Sequence, residues 1–405
     1  MKTLAHLPLL LAFAAAPLLA AEAGFSAGLD TTVDATAGVR GGARRGETLH
    51  GLALGHAAWQ QPATPTAPFS FQAYASVLSL VGHGPTERVL GDFLTASNIE
   101  GYPSTRLYSW WLEVGTSAWS LRTGALLADE EFAGTSAGGN FTNSAFGWPP
   151  FISANTVNTG PAFFAAALGA RFEYHLNDSV TWRAGVYDGD TFDSPSGDAT
   201  VNRHGWHYHL GGTQGWFAIT EAAFTPANLP SRFKAGAWLH TGDFADVRRD
   251  AAGRPFADTR AAPRNHDGNY GAYAALEHTL SGKPGAAGNL ETYVRAGLSP
   301  TDRNAIGWAL DTGLACTGLL PGRPADVAAL GLAHASFSRR YAAHARAIDP
   351  ASPALDSETV VELAYRISLS ERFKLQPDVQ YIRHPGGSSA QRDALAVLLR
   401  LTGTF

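Results

Sequence analysis

The chain has 405 residues; 16% are charged, 11% are aromatic, and the formal net charge is -5. That balance leaves no basic surplus to suggest nucleic acid as a partner. Beyond the N-terminus no run of about 18 apolar residues occurs, which excludes membrane-spanning helices.

The first stretch, "MKTLAHLPLLLAFAAAPLLAAEAG", reads as a secretory signal peptide. Lys2 gives the short positive region, Leu4 to Leu19 the apolar region, and Ala21-Glu22-Ala23 a small-x-small cleavage site. Residues 1–23 are therefore expected to be removed, leaving one domain over 24–405. Cys316 is the single cysteine, so no intrachain disulfide can form, and an extensive hydrogen-bonded framework must supply stability.

Alternating or β-rich segments then recur along the whole chain. They are Phe25–Ala37, Glu47–Trp59, Phe69–Val81, Ser104–Val114, Trp119–Leu127, Ala162–Leu176, Val180–Tyr187 and Gly215–Phe224. Arg232–His240, Tyr270–His278, Leu290–Ser299, Ala305–Leu314, Asp326–Ser336, Glu358–Leu369, Phe373–Arg383 and Asp393–Phe405 follow. A tilted strand of roughly 9–11 residues crosses a bilayer, and these lengths fit. The connections tend to alternate between short ("GTSA", "NDS") and long (82–103, 128–160, 188–214, 241–267, 337–356). Segregating loop length in this way is the mark of an outer-membrane barrel with both termini in the periplasm. The expected fold is all-β, a transmembrane antiparallel β-barrel of about 16 strands with long extracellular loops and an inward-folded constriction loop.

Alternation also assigns the faces. In "VVELAYRIS" one set is Val361, Leu363, Tyr365 and Ile367, and the other is Glu362, Ala364, Arg366 and Ser368. Arg or Lys on a lipid face costs about 2–4 kcal/mol at the midplane, so the polar set must line water. Pro377 lacks a ladder donor, so a bulge or an unpaired amide position is expected there.

By the same parity the lumen should carry Glu113, Arg122, Arg171, Glu173, Lys234, Trp238, Arg295, Glu362, Arg366 and Asp378. Charges of both signs in near balance suit a neutral polar solute better than an ion, and rings such as Trp238 or Trp111 can stack on a sugar face. The long loop 128–160 is too aromatic to be only solvated, because Phe132, Phe141, Phe146 and Trp148 need burial. It is the expected constriction, together with Asn143. Residues 82–103 form a second segment expected to fold inward.

Other patterns point elsewhere. "GTSAG" matches a nucleophile elbow at Ser136, but the helix that must follow it is missing from "GNFTNSAFGWPP". "DGDTFDSPSGD" offers Asp188, Asp190 and Asp193 as calcium candidates, although the EF-hand Gly and final Glu are absent. "HGWHYH" brings His204, His207 and His209 together as loop histidines. No cofactor is expected.

Three stretches resemble one known family, the carbohydrate-selective porins of the OprB type. "LYSWWLEVGTSAWSLRTG" with "DEEFAG" and "FTNSAFGWPP" resembles the family's paired strands and inward loop. "FKAGAWLHTGDF" matches Lys-x-Gly-x-Trp-x-His-Thr-Gly. "VVELAYRISLSERFKLQPDVQYIRHPGG" resembles the closing Glu-x-x-Tyr-Arg and Gln-Pro-Asp-x-Gln-Tyr-Ile-x-x-Pro-Gly-Gly signature. One departure is Ala125, where the family tends to place a Lys. The resemblance implies a sixteen-stranded outer-membrane barrel that conducts glucose and related sugars by facilitated diffusion, without catalysis. It also implies that Phe405 is an assembly signal read by the barrel-assembly machinery, and it favours a monomer surrounded by lipid and lipopolysaccharide. The alternatives are a general or organic-anion porin on the same barrel, an outer-membrane hydrolase using Ser136, and a barrel that conducts nothing.

Overall fold

The computed structural model describes residues 23–194, 197–210, 214–351 and 354–405, so residues 1–22 of the expected leader lie outside the described residues. Sixteen strands follow one another. The first eight are β1 (Gly24–Arg40), β2 (Gly46–Gln61), β3 (Ser70–Gly82), β4 (Ser104–Gly115), β5 (Trp119–Leu126), β6 (Ala167–Asn177), β7 (Val180–Asp188) and β8 (Trp216–Phe224). The rest are β9 (Ser231–Asp250), β10 (Pro263–Ser281), β11 (Leu290–Leu298), β12 (Ile306–Thr317), β13 (Val327–Phe337), β14 (Ser357–Ser368), β15 (Phe373–Arg383) and β16 (Ala394–Thr404). Each pairs antiparallel with its chain neighbours, and β1 pairs with β16 to close the barrel. Closure leaves no edge of unpaired backbone groups, the condition for strands to sit in hydrocarbon. Among the described residues no helix is long and apolar enough to cross a membrane.

The alternation sorts as expected. On β14, Leu363 is 56% exposed on the outer wall while its neighbour Glu362 is 0% exposed on the inner one. Exposed rings band the outer wall at two heights. Phe71, Tyr174, Trp182 and Phe233 lie toward the rim with short turns, and Trp216, Tyr270 and Trp308 toward the rim with long loops. Such girdles mark the two membrane interfaces.

Two details differ from the expectation. β9 and β10 run for 20 and 19 residues, so most of the segment expected as the loop 241–267 is a hairpin rising past the mouth. Above the membrane both faces of a strand meet water, so the apolar alternation fades while the ladder continues; there Asp246 meets His266 at 3.0 Å. β6 begins at Ala167 rather than Ala162, because Ala162 and Ala165 are buried in the returning inward loop.

Pro377 causes no bulge. Its β16 ladder continues unbroken, Pro377 facing Leu399. On the β14 side the paired register is Ala364 with Asp378, then Ile367 with Leu375, and the two positions between are unpaired without a change of register. The missing amide hydrogen therefore falls on the β14 side, which is the unpaired position expected of a proline inside a closed sheet.

Candidate functional site

Residues 127–166 fold into the barrel as the sequence suggests. Phe132, Phe141, Phe146, Trp148 and Phe151 are all buried. The wall makes room for them with glycine. A Cβ on Gly297 of β11 would lie 2.5 Å from the Phe151 ring, and one on Gly331 of β13 would lie 2.7 Å from Phe141. Flat rings can therefore lie directly on the strand backbone, which is why these inward positions carry no side chain.

Polar wall groups then fasten the loop backbone. Glu221 accepts the Ala133 N–H at 2.8 Å, Glu277 the Ser136 N–H at 2.8 Å, and Glu362 those of Thr142 and Asn143. Arg295 pairs with Asp311 at 2.9 Å and donates to the carbonyls of Ala145 and Gly147, each at 2.8 Å. Lys234 donates to the Gly134 carbonyl at 2.6 Å and pairs with Glu277 at 2.8 Å. The loop has little regular structure to satisfy its own backbone, so the wall must do it.

The second segment, 83–103, also folds inward. Glu358 accepts the N–H groups of Phe93 and Leu94, both at 2.7 Å. Arg400 and Asp34 pair across the β1–β16 seam at 2.7 Å, and Ser97 donates to Asp34 at 2.6 Å. The two inward segments bond to each other, Asn98 N–H to the Thr142 carbonyl at 2.6 Å and Ser144 N–H to the Thr95 carbonyl at 2.9 Å. Burial pushes the Glu100 carboxyl up to about 7, the Thr86 N–H opposing this and the neighbouring Asp92 adding to it. Burial likewise pushes Asp129 up to about 6, against an opposing hydrogen bond from the Phe163 N–H.

On β4 to β7 the inner wall and Glu131 of the inward loop share a ring of paired charges, so the loop is held here as well, by side-chain ion pairs. Arg122 meets Glu113 and Glu131 at 2.8 Å each; Arg171 meets Glu113 at 2.7 Å and also contacts Glu131. Glu173 pairs with Arg183 next to it. The Arg122 guanidinium lies 3.9 Å above the Trp111 ring, which stacks on Tyr74 at 5.3 Å, which in turn stacks on His56 at 6.1 Å. A row of aromatic faces thus leads to the charged ring.

The predicted lumen residues fall in two places. Glu113, Arg122, Arg171 and Glu173 come together in or beside the ring, Arg171 being buried there, while Lys234, Trp238, Arg295, Glu362 and Asp378 face inward on β9 to β15 and are buried under the loop. Arg366 is half-buried on β14. Asn143 of the inward loop is fully buried, its amide donating to Gln380 at 3.2 Å. Tyr74 and His56 stand at inward parity positions of β3 and β2, where alternation could have found them, whereas Glu131 escapes the strand-parity reading. Glu131 stands in the loop, where parity has no meaning, and its signal was the acidic run "DEE" opposite two lumen arginines.

The remaining motifs disperse. Ser136 precedes a short 3-10 turn, and its N–H is taken by Glu277, so no strand–turn–helix elbow surrounds it. Asp190 accepts the N–H groups of Phe192 and Ser194, and Asp193 meets His207 at 2.9 Å and Gln214 at 2.8 Å. Among the described residues no group of three His, Cys, Asp or Glu is placed to hold a metal ion.

Comparison with known proteins agrees with this architecture. Porin B of Pseudomonas aeruginosa is 22% identical over 251 residues, covering 58% of this chain and 54% of that protein, so the chain spans about half the length of the curated relative it matches. The high-pH structure of Pseudomonas putida OprB superposes with a TM-score of 0.81 at 18% identity, covering 94% of both chains. The outer membrane channel DcaP of Acinetobacter baumannii superposes with a TM-score of 0.55 at 12% identity over 96% of this chain and 99% of that one. At these identities the structural likeness speaks for the fold. The family model described as "Carbohydrate-selective porin, OprB family" matches residues 70–405. The chain belongs to that family, and its barrel is one of the bacterial outer membrane.

Proposed function

We propose that the protein is a passive channel for glucose and related sugars, with no catalytic step. The observation that carries this reading is the ring of Arg122, Glu113, Arg171 and Glu131 beside the Trp111 and Tyr74 faces. Two arginines and two glutamates neutralise one another, so the ring attracts neither sign of ion strongly. Its N–H donors and carboxylate oxygens still offer directional bonds to sugar hydroxyls, while the aromatic row offers contact to the apolar face of a pyranose. The family's description as carbohydrate-selective supports the same solute class.

Both termini are taken as periplasmic. Leu29 and Phe405 exchange backbone hydrogen bonds of 3.0 Å at the rim that carries the short turns, the side such barrels turn to the periplasm.

Single-channel conductance of the refolded protein in a planar bilayer tests the reading. Glucose should reduce the current saturably, citrate should not, and Trp111→Ala should raise the half-blocking glucose concentration roughly two- to tenfold. Block by citrate alone would reassign the barrel to organic anions. A folded barrel that conducts nothing would end the channel reading.

A further inference from the structure

Between the two inward segments and the outer halves of β2, β3 and β4 lies a vestibule of about 920 Å³. Its lining mixes two chemistries. Tyr102, Phe163 and Phe164 are half-buried rings, with Trp148 also in the lining, and Thr95, Asn98 and Glu100 are polar. The rings pack on one another. Tyr102 and Phe164 meet edge-on at 5.2 Å, and Phe163 meets Phe164 edge-on at 5.9 Å. The Arg106 guanidinium, buried behind them, lies 5.0 Å from the Phe164 ring and donates to the Phe164 carbonyl at 3.1 Å.

Aromatic faces left half-open in a water-filled passage are unfavourable unless something covers them. A volume of this size suits a solute of two or more rings, because drug-sized ligands occupy pockets of roughly 300–1,000 Å³. The rings are held before any solute arrives, so little ordering cost falls on binding.

We propose that this vestibule selects amphiphilic sugars, specifically aryl glycosides: a pyranose carrying one aromatic aglycone. The aglycone would cover Phe163, Phe164 and Tyr102 while the sugar hydroxyls bond to Asn98, Thr95 and Glu100. The inference rests on the sugar-channel reading and narrows its substrate class. Bound there, the glycoside has its sugar presented to these polar groups.

The test compares block of single-channel current by phenyl β-glucoside and by glucose in the full-length protein. The glycoside should half-block at a concentration about fivefold or more below that of glucose. Phe163→Leu and Phe164→Leu keep apolar volume but remove a ring, and each should bring the ratio of the two half-blocking concentrations toward one. Only variant protein showing the heat-modifiable gel migration of a folded barrel is measured. Equal half-blocking concentrations in the unaltered protein would overturn the inference while leaving the sugar channel intact, as would a ratio that survives both ring removals. Block by neither solute would overturn both readings together.

Discussion

The Glu362 carboxylate of β14 accepts the backbone N–H of Asn143 at 3.0 Å and, on its other oxygen, that of Thr142. A charge on the inner wall of a channel thus serves as a fastener for the constriction. Leaving these two buried donors without an acceptor should cost about 1–3 kcal/mol each. Glu362→Ala is therefore expected to keep the barrel but loosen the loop. Single-channel traces should show higher and noisier conductance; a quiet, unchanged trace would count against the fastening role.

Arg295 is 0% exposed and is bound to Asp311 and to loop carbonyls. Arg295→Met would strand Asp311 in the wall, and breaking a buried pair in this way costs about 3–5 kcal/mol. The urea midpoint of the variant in lipid vesicles should fall clearly. Adding Asp311→Leu should recover much of the loss, because the uncompensated charge goes with it. A double variant no more stable than the single one would contradict this account.

Glu100 lines the vestibule with its carboxyl raised by burial from the ordinary 4.5 to about 7. A raised carboxyl is neutral in the fold at low pH. Docking of the 83–103 segment is therefore firmest below 4.5 and weakens as pH climbs through about 7. The same ionisation adds a negative charge to the passage. Cation preference, read from the reversal potential in a salt gradient, should rise across that range, and Glu100→Gln should flatten the step. A step unaltered in the variant would assign the titration to another group.

Leu363 stands on the outer wall beside the buried Glu362. Leu363→Arg should cost about 2–4 kcal/mol if it faces the bilayer midplane. Unfolding from lipid vesicles measures this directly. A cost near zero would mean that the assignment of faces fails at β14.

Much of this was legible in the chain. Strand existence and facing follow from period-2 alternation, since one face meets lipid and the other does not, and the barrel follows from the alternation of short and long connections. The aromatic loop announced its own burial, because Phe132, Phe141 and Phe146 have no place in water. Alternation is silent wherever both faces meet the same surroundings, as in the β9–β10 hairpin above the mouth.

Sixteen strands, their inward-pointing residues and an inward-folding aromatic loop could all be read along the chain, because they depend on local periodicity, loop length and composition. Which inward residues end up under the loop and which join the charged ring was settled by the folded chain. Glu113 and Glu362 both lie on the inner wall, yet one bridges Arg122 and Arg171 while the other is covered by the loop it holds. That division depends on where a long, irregular loop comes to rest. The resting place is set by glycine clearances and backbone hydrogen bonds between residues more than a hundred positions apart, which no local pattern records.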